Sequence, residues 1–376
     1  MGRKRKRLWP EVSDAAAAAA EPGKAGKNAA AGGAVIIDNH THLPMHRGEI
    51  PRDSDRVRLP LTEQLARAAG AGVAAVVSCA CDIADVRAAA QLMRRWPQGD
   101  PACGLPDEAE TYREWQEALS GVVGDESDDA SRAAVAGEVP EWNGSRPGLP
   151  RVYWAVAIHP NEAAIHGGYR EVSPDGLAPN VKDFHALTLE EAVAAVEAVA
   201  REFPDDVVAI GETGIDLYRT GPAGLAAQQA GMRAHIALAK ELGLPLQIHD
   251  REAHTQVVEL LLAEGAPERT VFHCFSGNEE LARICNEQGW YASFAGPITY
   301  PANDALRMAA AVMDPALIMV ETDAPYLTPA PWRGSPNASY CIEHTVRELA
   351  AVRQTSFADM CERLAATTRE VYGVSL

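Results

Sequence analysis

The stretch VVAIGETGID at residues 207–216 begins as an apolar run and reaches a carboxylate, Glu212, just after that run. Short runs of apolar and β-branched residues are typical of strands that are buried on both faces of a parallel sheet. Further runs of this kind lie at residues 35–39, 73–78, 152–158, 246–248, 270–272, 291–294 and 318–320. Together with residues 207–211, they predict eight strands.

Segments with helical spacing lie between most of the predicted strands. They are rich in Ala, Leu and Glu and occupy residues 189–201, 224–242, 252–263 and 279–288. Strand followed by helix, repeated along the chain, predicts an α/β fold. Residues able to ligate a metal follow all but the second and seventh runs, and strand ends meet at one face of a (β/α)8 barrel. We therefore predict a TIM-type (β/α)8 barrel, with a doubly wound sheet as the alternative.

The chain is longer than such a barrel requires. It has 376 residues, whereas about 250 are typical of this fold. Residues 1–33 contain a basic run and a stretch rich in Ala and Gly, which predicts a disordered tail. We interpret the basic run as solvated charge, with nucleic-acid contact or an import signal as alternatives. We predict that residues 34–376 form a hydrolase domain. Residues 98–150, between strands 2 and 3, are interpreted as an acidic insertion in this domain.

The net charge limits how this protein can meet nucleic acid. At −18, the chain repels phosphate backbones, which argues against a protein that wraps long duplexes. Bound divalent ions can dominate the local potential of a site. The composition is therefore compatible with an enzyme that acts briefly on a strand end.

Cysteine usage indicates a reducing compartment. The 7 cysteines are odd in number, form no pair of CxxC units and follow no secretory signal, so we predict a cytoplasmic protein. No run is long enough to span a membrane. Cys79 and Cys81 follow the second predicted strand, and we interpret them as core thiols, with metal binding as the alternative.

Two histidines follow the first predicted strand. Because side chains alternate along an extended segment, His40 and His42 point to the same side, where both imidazoles can hold one ion. Glu212, after the fourth run, can bridge two ions through its two oxygens. An unpaired carboxylate at a buried strand end would otherwise be costly.

His249, His273 and Asp323 follow the fifth, sixth and eighth runs. Each of these histidines, taken singly, is more typical of a hydrogen-bonded core residue. Their placement at equivalent strand ends, together with Asp323, favours a two-metal site. The predicted ligands are therefore His40, His42, Glu212, His249, His273 and Asp323.

The motifs that contain these residues resemble those of TatD-family metal-dependent deoxyribonucleases, within the amidohydrolase-like barrels. The resemblance runs from about residue 35 to the C-terminus and rests on HTH at 40–42, HP at 159–160, GETGID at 211–216, IHDR at 248–251, HCFSG at 273–277 and ETDAPYL at 321–327. It implies a hydrolase that cleaves DNA phosphodiesters, often from the 3′ end, with two divalent ions. We therefore expect a 3′–5′ exodeoxyribonuclease that acts on single-stranded ends.

The resemblance also divides the candidate ligands between two ions. It implies one ion held by His40, His42 and Asp323 and a second held by His249 and His273, with Glu212 between them. Such ions lower the pKa of a water, orient the phosphate and stabilise the leaving oxygen. We expect Asp323 to accept the proton of that water, with a role as ligand only as the alternative.

Further residues are candidates for substrate contact. His159 is expected to contact the scissile phosphate or to orient a ligand. Arg251 and Arg333 are expected to pair with phosphate oxygens, with support of a ligand or a loop as the alternative. Asp216 is expected to orient loop residues rather than bind metal. His235, where the family commonly has Gln, is interpreted as a packing substitution.

Other functions are open to the same fold. A two-metal amidohydrolase or lactonase is one, although many such enzymes bridge their metals with a modified lysine where this chain has Glu212. A degenerate barrel that serves as a scaffold is another, but all six ligands are present. Histidine and carboxylate suit Zn²⁺, Mn²⁺ or Ni²⁺, while Mg²⁺ favours fewer imidazoles. We expect two ions of one of these kinds and a monomer.

Overall fold

Parallel strands form the centre of the computed structural model, which describes residues 34–43, 61–95 and 149–375. In chain order they are β1 (Ile36–Thr41), β2 (Val73–Ala80), β3 (Arg151–Val156), β4 (Val207–Asp216), β5 (Leu246–Arg251), β6 (Thr270–Phe272), β7 (Tyr291–Phe294) and β8 (Ile318–Val320). Each strand pairs with the next one along the chain to give an 8-stranded sheet. All the predicted strands are therefore present.

The sheet curls until β8 lies beside β1. The backbone N–H of Asp323 donates to the carbonyl of His40 at 3.0 Å, and the N–H of His42 donates to the carbonyl of Ala324 at 2.7 Å. These bonds join the first and last strands at the end where both strands finish. The predicted (β/α)8 barrel is confirmed, and the doubly wound sheet is wrong.

Helices surround this barrel. Within the described ranges they are α1 (Leu61–Gly70), α2 (Ile83–Arg95), α3 (Pro160–His166), α4 (Leu189–Glu202), α5 (Leu217–Leu242), α6 (His254–Glu264), α7 (Glu279–Gln288), α8 (Asp304–Val312), α9 (Ile342–Val352) and α10 (Phe357–Tyr372). Local chemistry fixes their ends. The Thr188 hydroxyl accepts from the N–H of Glu191 at the start of α4, and Gly243 ends α5 with a φ of 65°.

Alternate strand residues enter two different apolar clusters. Val76, Trp154 and Ile210 pack outward against the helices. Val77 and Ala155 belong to a second cluster built mainly from strand residues, which lies inside the barrel. Because side chains of a strand alternate between its faces, polar residues in register with the second set also point inward.

Some element boundaries differ from the sequence-based prediction. β4 and β5 continue past Glu212 and His249, so these two residues lie within strands rather than after them. Helix α5 begins before residue 224, and a non-helical Gly221 followed by Pro222 interrupts its first part.

Two predicted additions fall outside the described residues. These are the tail at 1–33 and nearly all of the insertion at 98–150. Among the helices that the structure does describe, none combines the length and the apolar character needed to cross a membrane.

Candidate metal centre

Six predicted ligands meet at the carboxyl end of the strands. They are His40, His42, Glu212, His249, His273 and Asp323, and Glu212 lies at their centre with its two oxygens turned to different partners. We call the donors nearest Oε1 of Glu212, which are His40, His42 and Asp323, the Oε1 cluster. The donors nearest Oε2, which are His249, His273 and His159, form the Oε2 cluster.

The donors of the Oε1 cluster are close without touching. Oε1 of Glu212 lies 3.6 Å from Nε2 of His42 and 3.8 Å from Nε2 of His40. Oδ1 of Asp323 lies 3.4 Å from Nε2 of His42 and 3.9 Å from Nε2 of His40. Two imidazoles and two carboxylates therefore face a common point.

The Oε2 cluster is tighter. Oε2 of Glu212 lies 2.6 Å from Nε2 of His273 and 2.9 Å from Nδ1 of His249, which are direct hydrogen-bond distances. Nε2 of His159 lies 3.8 Å from the same oxygen. His273 also stacks on His40, with ring centroids 4.0 Å apart, so it lies between the two clusters.

His40 is held in one tautomer by a residue to which the sequence analysis gave no role. Nδ1 of His40 lies 3.0 Å from Oε1 of Gln247. The amide nitrogen of Gln247 already donates to the carbonyl of Asn39 and to the hydroxyl of Tyr372. Oε1 must therefore accept, Nδ1 of His40 carries the proton, and its Nε2 lone pair faces Glu212 and Asp323. That nitrogen is fully buried and has no hydrogen-bond partner.

Carboxylates hold the other imidazoles. Oε1 of Glu321 lies 3.3 Å from Nδ1 of His273 and accepts from the N–H of Cys274 at 2.7 Å. Oδ2 of Asp216 lies 3.2 Å from Nε2 of His249. Asp216 therefore orients a candidate ligand, in addition to its bond with the N–H of Arg219 at the start of α5. Both partners sit where outer carboxylates fix the rings of metal-binding histidines.

The close approach of β4 and β5 beside His249 depends on a glycine. Gly214 has a φ of 146°, and a Cβ at this position would lie 2.0 Å from the carbonyl oxygen of His249. Glycine is the residue that tolerates both the dihedral angle and the contact.

His159 begins helix α3. Its Nδ1 accepts from the N–H of Asn161 at 3.0 Å, so the proton of the ring is on Nε2, which points toward Glu212. The preceding N–H, that of Ile158, donates to Nε2 of His235 at 3.1 Å. His235 is therefore more than a packing substitution, because it anchors the backbone that leads to His159.

Glu212 and His40 are held in the protonation states that metal binding requires. Burial acts to raise the pKa of the Glu212 carboxyl, but His273, His159 and His249 outweigh it and hold the pKa well below its usual range. Burial and the neighbouring His273 lower the pKa of His40 to about 3. An ionised carboxylate and a neutral imidazole are the forms that ligate a metal.

The two cysteines after the second strand run also reach this site. Sγ of Cys81 lies 3.4 Å from Oε1 of Glu212 and 3.4 Å from Sγ of Cys79. The interpretation of Cys79 as a core thiol agrees with its burial, at 1% exposure. Cys81 is partly exposed and borders the candidate metal centre.

The predicted arginines lie on the rim rather than among the ligands. The guanidinium of Arg251 lies 4.0 Å from the ring centroid of Tyr218, and that of Arg333 lies 4.3 Å from the ring centroid of Tyr300. Both arginines are exposed. Tyr326, 48% exposed, has its ring 6.0 Å from that of His42. Tyr326 thus presents an aromatic ring beside a candidate ligand, and both arginines lie over tyrosine rings.

The donor set fits divalent metal ions. Groups of three donors, each group within 4.8 Å, include His40 with His42 and Glu212, and His40 with His273 and Asp323. The buried, unpaired Nε2 of His40 is costly unless an electrophile meets it. Nitrogen and carboxylate donors in this proportion are typical of Zn²⁺ or Mn²⁺ sites.

The chain is similar in sequence and in fold to members of one protein family. The sequence profile described as TatD related DNase matches residues 146–373. The metal-dependent hydrolase TatD of Mycobacterium tuberculosis is 37% identical over 281 residues, which cover 73% of this chain and 95% of that protein. The metal-dependent hydrolase YabD of Bacillus subtilis is 35% identical over 182 residues, or 48% of this chain and 69% of that protein. The crystal structure of the Escherichia coli TatD homologue YjjV has the same fold, with a TM-score of 0.62 and 21% identity over 90% of this chain and 98% of that one.

Proposed function

Since the chain belongs to the TatD-related DNase family of metal-dependent hydrolases, we propose that it removes nucleotides from the 3′ ends of single-stranded DNA with two divalent ions. Glu212 gives the strongest support. Its Oε1 faces His40 and His42, and its Oε2 lies within hydrogen-bond distance of His249 and His273. A carboxylate that serves two sets of imidazoles is suited to bridge two ions.

The ligands divide between the clusters. One ion would be held by His40, His42 and Asp323 and the other by His249 and His273, with Glu212 shared. When bound, two such ions lower the pKa of a water and stabilise the charge of the attacking and leaving oxygens of a phosphodiester.

Two residues of the chain would move or hold protons. Asp323 is our candidate for the base, because its carboxylate lies 3.4 Å from Nε2 of His42 at the mouth of the site, with 12% of the side chain exposed. His159 would donate through Nε2 to a phosphate oxygen, since its Nδ1 is already occupied as an acceptor.

The rim supports a single-stranded substrate. Bases of single strands stack on exposed aromatic rings, and arginine pairs with phosphate. Tyr326 offers a half-exposed ring beside His42, and Arg251 and Arg333 are held over tyrosine rings. The net charge of −18 makes these local cations the more important for binding. We also propose that the protein is cytoplasmic, on the basis of its reduced-type cysteine usage, and that it is a monomer.

The test uses metal-stripped protein with single-stranded oligonucleotides that carry a label at the 5′ or the 3′ end. Resupply of Mn²⁺, Zn²⁺ or Mg²⁺ is expected to give a ladder that shortens one nucleotide at a time from the 3′ end. Glu212→Gln should be inactive, whereas Glu259→Gln, an exposed position on α6, should behave as wild type. Metal-dependent hydrolysis of small esters or amides, with no cleavage of DNA, would instead identify an amidohydrolase or lactonase.

A further inference from the structure

Cys81 brings a thiol to the Oε1 cluster. It follows β2 directly, and its Sγ contacts Oε1 of Glu212 at 3.4 Å. The thiol also interacts with His42, the second donor that faces this oxygen. Cys81 therefore contacts one proposed ligand of this ion and lies close enough to a second to interact with it electrostatically.

The spacing of these donors matches that of ligands that share an ion. Sulfur binds Zn²⁺ at about 2.3 Å and carboxylate oxygen at about 2.1 Å. With Cys81 as a fifth ligand, two such atoms lie about 3.1 Å apart at a 90° angle and about 3.8 Å apart at 120°. The Cys81 to Glu212 distance is 3.4 Å, and the His42 to Glu212 distance is 3.6 Å. A direct thiol ligand needs almost no rearrangement.

A second, independent feature indicates an ion at this point. Nε2 of His40 is fully buried, carries a lone pair and has no hydrogen-bond partner, and it is directed at Glu212 and Asp323. A buried acceptor left without a donor costs about 1–3 kcal/mol. An ion bound between these groups would satisfy it.

We propose that Cys81 is a thiolate ligand of the Oε1 cluster and makes this half of the centre selective for a thiophilic ion such as Zn²⁺ over Mg²⁺. The inference rests on the two-ion centre of the proposed function. On binding, the ion replaces the thiol proton, which passes to solvent, so one S–H bond breaks and one metal–sulfur bond forms. Thiolate prefers Zn²⁺, whereas Mg²⁺ prefers oxygen ligands and retains its waters.

The test is the absorption spectrum of the metal-stripped, reduced protein titrated with Co²⁺. A thiolate-to-cobalt charge-transfer band in the near ultraviolet is expected as the first ion binds, and it should disappear in Cys81→Ser. Cys285→Ser is the control and should keep the band, because Cys285 is buried on helix α7 and is not a member of the Oε1 cluster. Loss of a residue that merely hydrogen-bonds to a metal ligand lowers metal affinity by roughly 10–100-fold. The Zn²⁺ affinity of Cys81→Ser should fall by at least this factor, because a direct ligand is lost. Its Mg²⁺ affinity should stay within about twofold of wild type.

Wild-type protein that binds Co²⁺ without this band would overturn the proposal, and so would a band that persists in Cys81→Ser. Either result would leave Cys81 as a thiol that hydrogen-bonds to Glu212. The spectrum does not depend on DNA cleavage. A protein that shows the band yet fails to shorten DNA would therefore refute the nuclease activity and leave the thiolate ligand in place.

Discussion

The Oε1 and Oε2 clusters share Glu212 but differ in the spacing of their donors. In the Oε1 cluster, carboxylate and imidazole atoms lie 3.4–3.9 Å apart. In the Oε2 cluster, His273 and His249 contact the carboxylate at 2.6 and 2.9 Å. Donors bound to one tetrahedral Zn²⁺ at about 2.0–2.1 Å lie about 3.4 Å apart. The first cluster is thus arranged for an ion in advance, whereas the second must exchange hydrogen bonds for metal bonds.

The largest effect is expected at the residue that both clusters share. Glu212→Gln keeps the shape of the side chain but removes the charge that would bridge the ions. We expect metal content to fall from about two ions per chain to one or none, and the hydrolysis rate to fall by more than about 10⁴-fold. Elemental analysis of the purified variant beside the activity assay checks both. Retention of both ions would show that Glu212 does not bridge them.

The second prediction separates the clusters by affinity. Calorimetric titration of the metal-stripped protein should show two binding events that differ by at least about 10²-fold, since filling the Oε2 cluster breaks two charge-assisted hydrogen bonds worth about 1.5–3 kcal/mol each. His42→Ala should abolish the tighter event and His249→Ala the weaker one. If His249→Ala instead removes the tighter event, the assignment of the pre-arranged cluster is wrong.

A smaller effect is expected from the residues that orient the imidazoles. Gln247→Leu removes the acceptor for Nδ1 of His40 and should weaken the tighter event by about 10–100-fold. Glu321→Gln, beside His273, should act on the weaker event by a similar factor. The two variants serve as controls for each other. Equal effects of both variants on both events would mean that the clusters are coupled through the barrel and do not fill separately.

The sequence allowed the barrel and the convergence of six ligand-type residues to be predicted for one physical reason. Ligands that follow buried apolar runs can meet only where the ends of parallel strands meet. Predicting where the strands end therefore also predicts where the site lies. Alternation along β1 also predicted that His40 and His42 share a side. It did not predict the irregularity in strand register between Asp38 and Thr41, where both Asn39 and His40 reach Gln247.

The supporting partners could not be predicted in this way. Gln247 lies two residues before His249 and Glu321 lies two residues before Asp323, so alternation placed both inside the barrel. Which imidazole each would meet depends on contacts between distant strands, because Gln247 reaches His40 across 207 residues and Glu321 reaches His273 across 48. Cys81 likewise meets Glu212 across 131 residues. A local pattern carries no information about such pairs.

The smallest effect concerns His235, which supports the Oε2 cluster through the backbone before His159. Burial lowers the pKa of His235 to about 4, below the 6.5 expected in the unfolded chain. Between these values the unfolded state binds a proton that the folded state does not, so stability is full above pH 6.5 and falls as the pH drops toward 4. The loss attributable to this group is at most about 3 kcal/mol.

His235→Gln provides the measurement, since a glutamine oxygen can accept from the N–H of Ile158 without titrating in this range. Denaturant unfolding at pH 7 and pH 4.5 should show a smaller drop in stability for this variant than for wild type, by about 2–3 kcal/mol. His235→Leu should instead be destabilised at both pH values, because it leaves the Ile158 N–H unpaired. Equal pH dependence in wild type and His235→Gln would mean that other titratable groups, and not His235, cause the acid sensitivity.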